Sequence, residues 1–183
     1  MFDRILVEKS GRALNWWRLF NKVELRPQSQ VVQDCVEGDA LCDWEGLRDL
    51  RETSGQAPHQ VASALAATVS YRDDNTGHWQ GPLTTLRQGG DCEDHAVLQM
   101  SALIAMGVAP ETLLIVTLKP RKTKRFRHTV LAIREAAGWR FLDVGGEERT
   151  AGWILNRYTP MLAYAGDGAV YDFAPATGSS MIF

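Results

Sequence analysis

Apolar positions recur at helical spacing through the first half of the chain and crowd into short strand-like runs after residue 111. Ile5, Leu6, Leu14, Trp17 and Leu19 fall at roughly helical intervals, and Trp44, Leu47 and Leu50 resume the pattern after a break around Pro27. Packing helices are therefore expected over the first fifty residues, with Trp16 and Trp17 read as a core face before a binding surface. "APHQVASALAATVSY" has Ala-rich helical composition, with Val61, Leu65 and Val69 four residues apart. "RDDNTGHWQGP", Arg72 to Pro82, ends it, because Asp, Asn, Gly and Pro supply turn geometry.

The clearest helix runs from Asp91 to Met106. Asp91 suits the N-cap, Asp94 stands where a capping box places its acid, and Ala96, Val97, Met100, Leu103 and Ile104 make one apolar stripe before Gly107. Three strand-like runs follow, "TLLIVTL" (112–118), "HTVLAI" (128–133) and "WRFLDV" (139–144), with a turn at Gly138. Helices first and strands afterwards predict an α+β fold, an antiparallel sheet packed on the helix that begins at Cys92. The tail "ATGSSMIF" is expected to be loosely ordered.

Composition narrows the class. The 183 residues suit one domain, 45% hydrophobic and 23% charged residues are ordinary for a folded protein, and a net charge of −2 gives no general footprint for nucleic acid. No apolar run approaches the roughly 18 residues needed to span a bilayer, and the opening segment lacks the apolar core of a signal peptide. Cys35 and Cys42 lie seven apart, a spacing compatible with a disulfide and equally with two reduced thiols, while Cys92 stands apart.

Candidate chemistry centres on "GGDCEDHA", Gly89 to Ala96. A cysteine in the first turn of a helix meets unpaired N–H groups and the positive end of the helix dipole, which favour the thiolate. Asp91, Glu93 and Asp94 oppose a further negative charge, so an imidazolium or a cation is needed to offset them. His128 opens one strand and Asp143 closes the next, so a short hairpin can place both on one face. The three residues then have the types required of nucleophile, general base and orienting carboxylate. Gly89 and Gly90 would let a substrate backbone approach closely. A buried structural cysteine and a structural strand histidine are the plain alternative. "KPRKTKRFR", Lys119 to Arg127, holds six basic residues in nine; a solvated hairpin tip, a nucleic-acid patch and a docking surface for an acidic partner are its three readings. His95, one turn inside the helix, is expected to pack or cap; Trp79 reads first as a core aromatic, and otherwise as a ring lining the substrate cleft or an indole N–H assisting an oxyanion.

"W-x-x-P" at Trp79–Pro82, "GGDCEDHA", "RHTVLAI" at 127–133 and "WRFLDV" together resemble the bacterial transglutaminase-like cysteine proteinases, which include the LapG-type periplasmic proteases. The similarity covers about Val61 to Tyr158. It implies a papain-like, transglutaminase-like core with a triad of Cys92, His128 and Asp143, forming one catalytic domain over 1–183 with an N-terminal helical part (1–60) and a catalytic core (61–175). It further implies cleavage of a large surface adhesin near its N-terminus, with release from a biofilm. Restraint by an inner-membrane cyclic di-GMP receptor and a periplasmic location are implied with it, so that Met1 would not be the natural start. Neither nucleic acid nor a membrane span belongs to this expectation. The resemblance also implies calcium held by Asp91 and Glu93; these are too few oxygens for Ca²⁺, and Asp73 and Asn75 in the preceding loop are the natural additional donors, or else form an ordinary turn. The chain departs from the family pattern at Gly77, at Thr84 and in "LDV". Acyl transfer to an amine, and a catalytically silent binding module of the same fold, are the other functions these residues allow.

Overall fold

The computed structural model describes residues 6–8, 51–73, 79–122, 127–166 and 170–173. Cys35, Cys42, Asn75 and the C-terminal tail lie outside the described residues, as do most of the expected N-terminal helices. Among the described residues, no helix is long and apolar enough to cross a membrane.

Among the described residues, seven antiparallel strands form one sheet: β1 (Leu6–Glu8), β2 (Leu113–Pro120), β3 (His128–Glu135), β4 (Gly138–Leu142), β5 (Glu148–Thr150), β6 (Tyr158–Ala165) and β7 (Val170–Phe173), in the order β1-β7-β6-β2-β3-β4-β5. The helices that bear on the site are α1 (Pro58–Ala67), α2 (Pro82–Gln88), α3 (Cys92–Ala105) and α4 (Ala151–Arg157). The α+β arrangement expected from the sequence is present, with further elements that the sequence did not single out and one reversal of type. Leu6–Glu8, expected to be helical, is an edge strand paired with β7. A three-residue strand has no stability of its own, so pairing with an otherwise open edge overrides local spacing here.

Alternation along β2 and β3 divides the core. Leu113, Ile115, Leu131 and Ile133 pack beneath α1 and α3 with Val97, Met100 and Leu103. Leu114, Val116, Val130 and Ala132 face the other way, against Phe141 and Ile154 of α4. Both faces of the central strands are thus covered, which accounts for the nearly unbroken apolar run of β2.

α3 begins at Cys92 as expected; the Asp91 N–H donates to Asp94 Oδ2 at 3.1 Å, and Gly107 takes φ +84° past the helix end. α2 was not expected, since it lies in the stretch that follows the loop. Pro82 at its first position and Gly81 before it start it, and Gly89 ends it with φ +80°. At Gly89 and Gly90 the space of a Cβ is taken up by the protein's own packing. A Cβ on Gly89 would lie 2.5 Å from the Ser70 carbonyl, and one on Gly90 would lie 2.5 Å from Asp94 Cβ. That crowding holds residues 70–72 against the start of α3, where Arg72 N donates to Gly90 O at 2.8 Å and Gly90 N to Ser70 O at 3.2 Å.

Candidate active site

Cys92 sits in the first turn of α3, 9% exposed, with its thiol donating to Glu93 Oε2 at 3.1 Å. Burial first, then the Glu93 hydrogen bond and the Glu93 and Asp91 charges, pushes that thiol up to about 12; the Thr129 backbone N–H pulls the other way. Burial and the flanking acids together thus favour the neutral thiol, and the acids act in the direction that their charge predicts. Thr129 is the residue after His128, so the thiol lies beside the start of β3.

His128 and Asp143 come together. β3 and β4 pair with Leu131 opposite Leu142, and just beyond that register His128 Nε2 lies 2.7 Å from Asp143 Oδ1. Tyr158 stacks on the imidazole with ring centroids 5.3 Å apart. Asp143 caps the short turn after β4: its Oδ1 also accepts from Val144 N at 2.8 Å, and Arg149 Nε lies 3.4 Å from Oδ2. Burial pushes the Asp143 carboxyl up, but the hydrogen bond and charge of His128, with Val144 N–H and Arg149, hold it below the usual carboxylate range. With Nε2 directed at Asp143, Nδ1 is the ring nitrogen left to exchange a proton with a thiol or an amine.

Sequence reasoning missed the polar residues that hold this loop. Gln99 Nε2 donates to Asp143 O at 3.0 Å, and Gly145 N approaches His95 Nδ1 at 3.4 Å. His95 and Gln99 stand four apart on α3, both at most 1% exposed, so one polar stripe of the cysteine helix grips the segment that carries Asp143. From the other side α1 presses on it, since a Cβ on Gly146, at φ +75°, would lie 2.1 Å from the Ser63 carbonyl. Leaving a buried polar group unmet costs about 1–3 kcal/mol, as much as one buried leucine contributes, so polar residues here reflect a demand for loop placement over packing. The helix spacing of His95 and Gln99 was the available signal, but it does not say which distant loop they meet.

Burial lowers the pKa of His95. Its Nδ1 must stay unprotonated to accept from Gly145, so the unfolded chain binds a proton more readily and stability falls as pH drops below about 6.5. The loss has a ceiling of about 1.4 kcal/mol per pH unit, or about 3–5 °C in melting temperature. His95→Asn keeps an acceptor without titrating. Thermal melts of both proteins from pH 7 to 5 are expected to show the steeper decline in the parent; parallel curves would show that His95 is not the titrating group.

Asp94 has a second task besides capping. Its Oδ1 accepts from Gln80 N at 2.6 Å and its Oδ2 from Gln80 Nε2 at 2.7 Å, which fixes the Trp79–Gln80 segment beside the cysteine. Burial pushes its carboxyl up against these hydrogen bonds. Trp79 is a core aromatic, as expected, packed edge-on to Tyr164 at 5.3 Å.

Donor atoms of Asp91, Cys92 and Glu93 all lie within 4.8 Å of one another, with Asp91 buried. Asp73 is exposed at the end of the segment that bridges to Gly90 through Tyr71. Partial burial, then the charges of Cys92, Asp73, Asp91 and Glu93, push the Tyr71 phenol up, so the Asp73 carboxylate shares the field of the other two. Asp73 stands outside the group of donor atoms that Asp91, Cys92 and Glu93 form; the two carboxylates beside the cysteine suit a hard cation such as Ca²⁺, and the thiol does not.

The family profile described as "bacterial transglutaminase-like cysteine proteinase" matches residues 32–161. Among solved structures, calcium-bound LapG of Legionella pneumophila superposes with a TM-score of 0.61 at 19% identity, covering 84% of this chain and 91% of that one. EGTA-treated LapG of the same organism gives a TM-score of 0.56 at 19% identity, covering 74% and 80%. No curated protein sequence matches the chain.

Proposed function

Because the chain belongs to the bacterial transglutaminase-like cysteine proteinases, we propose that it is an endopeptidase whose triad is Cys92, His128 and Asp143. The observation that carries this reading is the His128–Asp143 pair at 2.7 Å, held at the start of β3 beside the helix-initial cysteine.

His128 Nδ1 takes the Cys92 proton, and Sγ attacks the scissile carbonyl carbon. The developing oxyanion lies near the Cys92 backbone N–H, which has no intrahelical acceptor in the first turn. When the C–N bond breaks, the imidazolium returns its proton to the departing amine and leaves an acyl thioester on Cys92. Water, deprotonated by the same Nδ1, then hydrolyses the thioester and restores the thiol. Throughout, Asp143 Oδ1 holds the Nε2–H and stabilises the imidazolium.

Asp91 and Glu93, with Asp73 and Asn75 as further donors, would hold a calcium ion, whose charge offsets the carboxylates that disfavour the Cys92 thiolate. The calcium-bound and EGTA-treated states of LapG support this choice of ion.

The substrate in this reading is the N-terminal region of a large surface adhesin, cut in the periplasm under restraint by an inner-membrane cyclic di-GMP receptor. Resemblance to the LapG-type proteases supports it. Purified protein incubated with N-terminal adhesin fragments in calcium is expected to yield one discrete cut at a pair of small residues. Fragments that stay intact, while the protein remains folded, would count against the adhesin as substrate.

A further inference from the structure

We propose that the sheet end beyond His128 is a docking surface for an acidic stretch of the substrate, on the C-terminal side of the scissile bond. The inference rests on the proteolytic reading above and adds a substrate class to it.

The β2–β3 hairpin carries Lys119, Arg121, Lys122 and Arg127, all exposed. Across from them β6 begins, with Pro120 paired to Tyr158 and Lys119 to Thr159. Arg121 N donates to Arg157 O at 2.9 Å, and Arg121 Nε donates to the carbonyls of Leu155 at 2.9 Å and Tyr158 at 3.3 Å. These bonds tie the hairpin to the α4–β6 junction and bring Arg157 into the same patch. Arg157 and Arg149 each lie 4.4 Å from the centroid of Trp153, whose ring approaches Tyr158 at 6.1 Å. Since Tyr158 stacks on His128, an aromatic path leads from the basic residues to the imidazole.

Charge balance leaves this patch unneutralised. Arg140 is matched by Glu135 and Glu148, and Arg149 by Asp143 and Glu147. Among the described residues, no carboxylate is paired with Lys119, Arg121, Lys122, Arg127 or Arg157. In a chain of net charge −2, gathering these cations at one sheet end costs self-repulsion that an acidic partner would relieve.

The direction follows from the chemistry. His128 protonates the departing nitrogen, so the chain that leaves with that nitrogen passes over the imidazole and on to Tyr158 and the patch. Asp or Glu within the first few positions after the cut would meet guanidinium and ammonium groups there, with Arg able to grip a carboxylate through two hydrogen bonds. A peptide is favoured over nucleic acid because the cations lead to the His128–Asp143 pair.

The test begins with a proteome-derived peptide library digested by the calcium-loaded protein and read by mass spectrometry. Enrichment of Asp and Glu on the C-terminal side of the cuts is expected. A synthetic peptide with Glu there should be cleaved about fivefold more efficiently than its Gln counterpart, through KM, at low salt. That preference should vanish in the Lys122→Gln/Arg157→Gln double variant and at about 0.5 M salt, while the Gln peptide is cut equally by both proteins. Cleavage without discrimination between the Glu and Gln peptides overturns the docking surface and leaves proteolysis standing. If no peptide is cut, both fall together. An oligonucleotide that binds the parent but not the double variant, with no peptide discrimination, would assign the patch to nucleic acid and overturn the inference.

Discussion

Cys92→Ala and His128→Ala are each expected to reduce cleavage of a susceptible peptide to the uncatalysed level, and Asp143→Ala to lower kcat by about 10³–10⁴-fold with the fold intact. The Cys92 variant lacks the nucleophile, and the His128 variant lacks the imidazole that is bonded to Asp143 beside it. Asp143 acts through His128, so its loss leaves nucleophile and base in place but removes the charge and the acceptor that fix the imidazole. Asp143→Asn should fall less far than Asp143→Ala. The Val144 N–H that donates to Oδ1 at 2.8 Å would keep the amide oxygen at that position, still facing Nε2 at its present 2.7 Å. The paired alanine and asparagine kinetics thus separate orientation, which the amide retains, from charge, which it does not. Full activity in the Cys92 variant would remove proteolysis by this site altogether.

The second large effect concerns the reactivity of the cysteine. With its thiol pushed up to about 12, Cys92 in the ion-free protein holds less than about 10⁻⁴ of its population as thiolate at neutral pH. Each unit by which that pKa falls raises the thiolate fraction tenfold. A calcium ion drawing off the Asp91 and Glu93 charge and competing for the Glu93 oxygen that now accepts from Sγ should lower it by about two units. Iodoacetamide labelling of Cys92, followed by mass spectrometry so that Cys35 and Cys42 do not interfere, is therefore expected to speed up about 100-fold in millimolar calcium and to slow again with chelator. Glu93→Gln should label faster than the parent without calcium and respond little to its addition. Equal labelling in calcium and in chelator would show that the acids only shape the helix start, and the ion would then have no place beside the nucleophile.

Much of this site was legible in local sequence because its parts form from neighbours. An aspartate before a helix, an acid three residues later and a glycine past the end act within a few residues of one another, so α3 begins and ends where its sequence says. The strand-like runs 112–118 and 128–133 were equally plain and lie almost wholly within β2 and β3, since residues buried on both faces must be apolar throughout. The residue types of the candidate triad, and the conflict between the thiol and its flanking acids, could likewise be read directly from Asp91, Cys92, Glu93, His128 and Asp143.

Other features depend on partners distant in the chain, and these only the tertiary structure decided. Leu6–Glu8 is a strand because β7 offers it an edge more than 160 residues later. Gly89 and Gly90 are crowded by Ser70 and Asp94, which local sequence presented as room for a substrate. The grip of His95 and Gln99 on the Asp143 loop, and that of Asp94 on Gln80, join groups far apart in the chain, because a buried donor or acceptor takes the partner that the fold brings to it. The basic hairpin was ambiguous for the same reason: its composition states a charge, but its bonds to Leu155, Arg157 and Tyr158 place that charge beside His128. Local chemistry set which groups the site contains, while long-range packing set their distances, and catalysis depends on those distances because hydrogen bonds and proton transfers fail within about an ångström of misplacement.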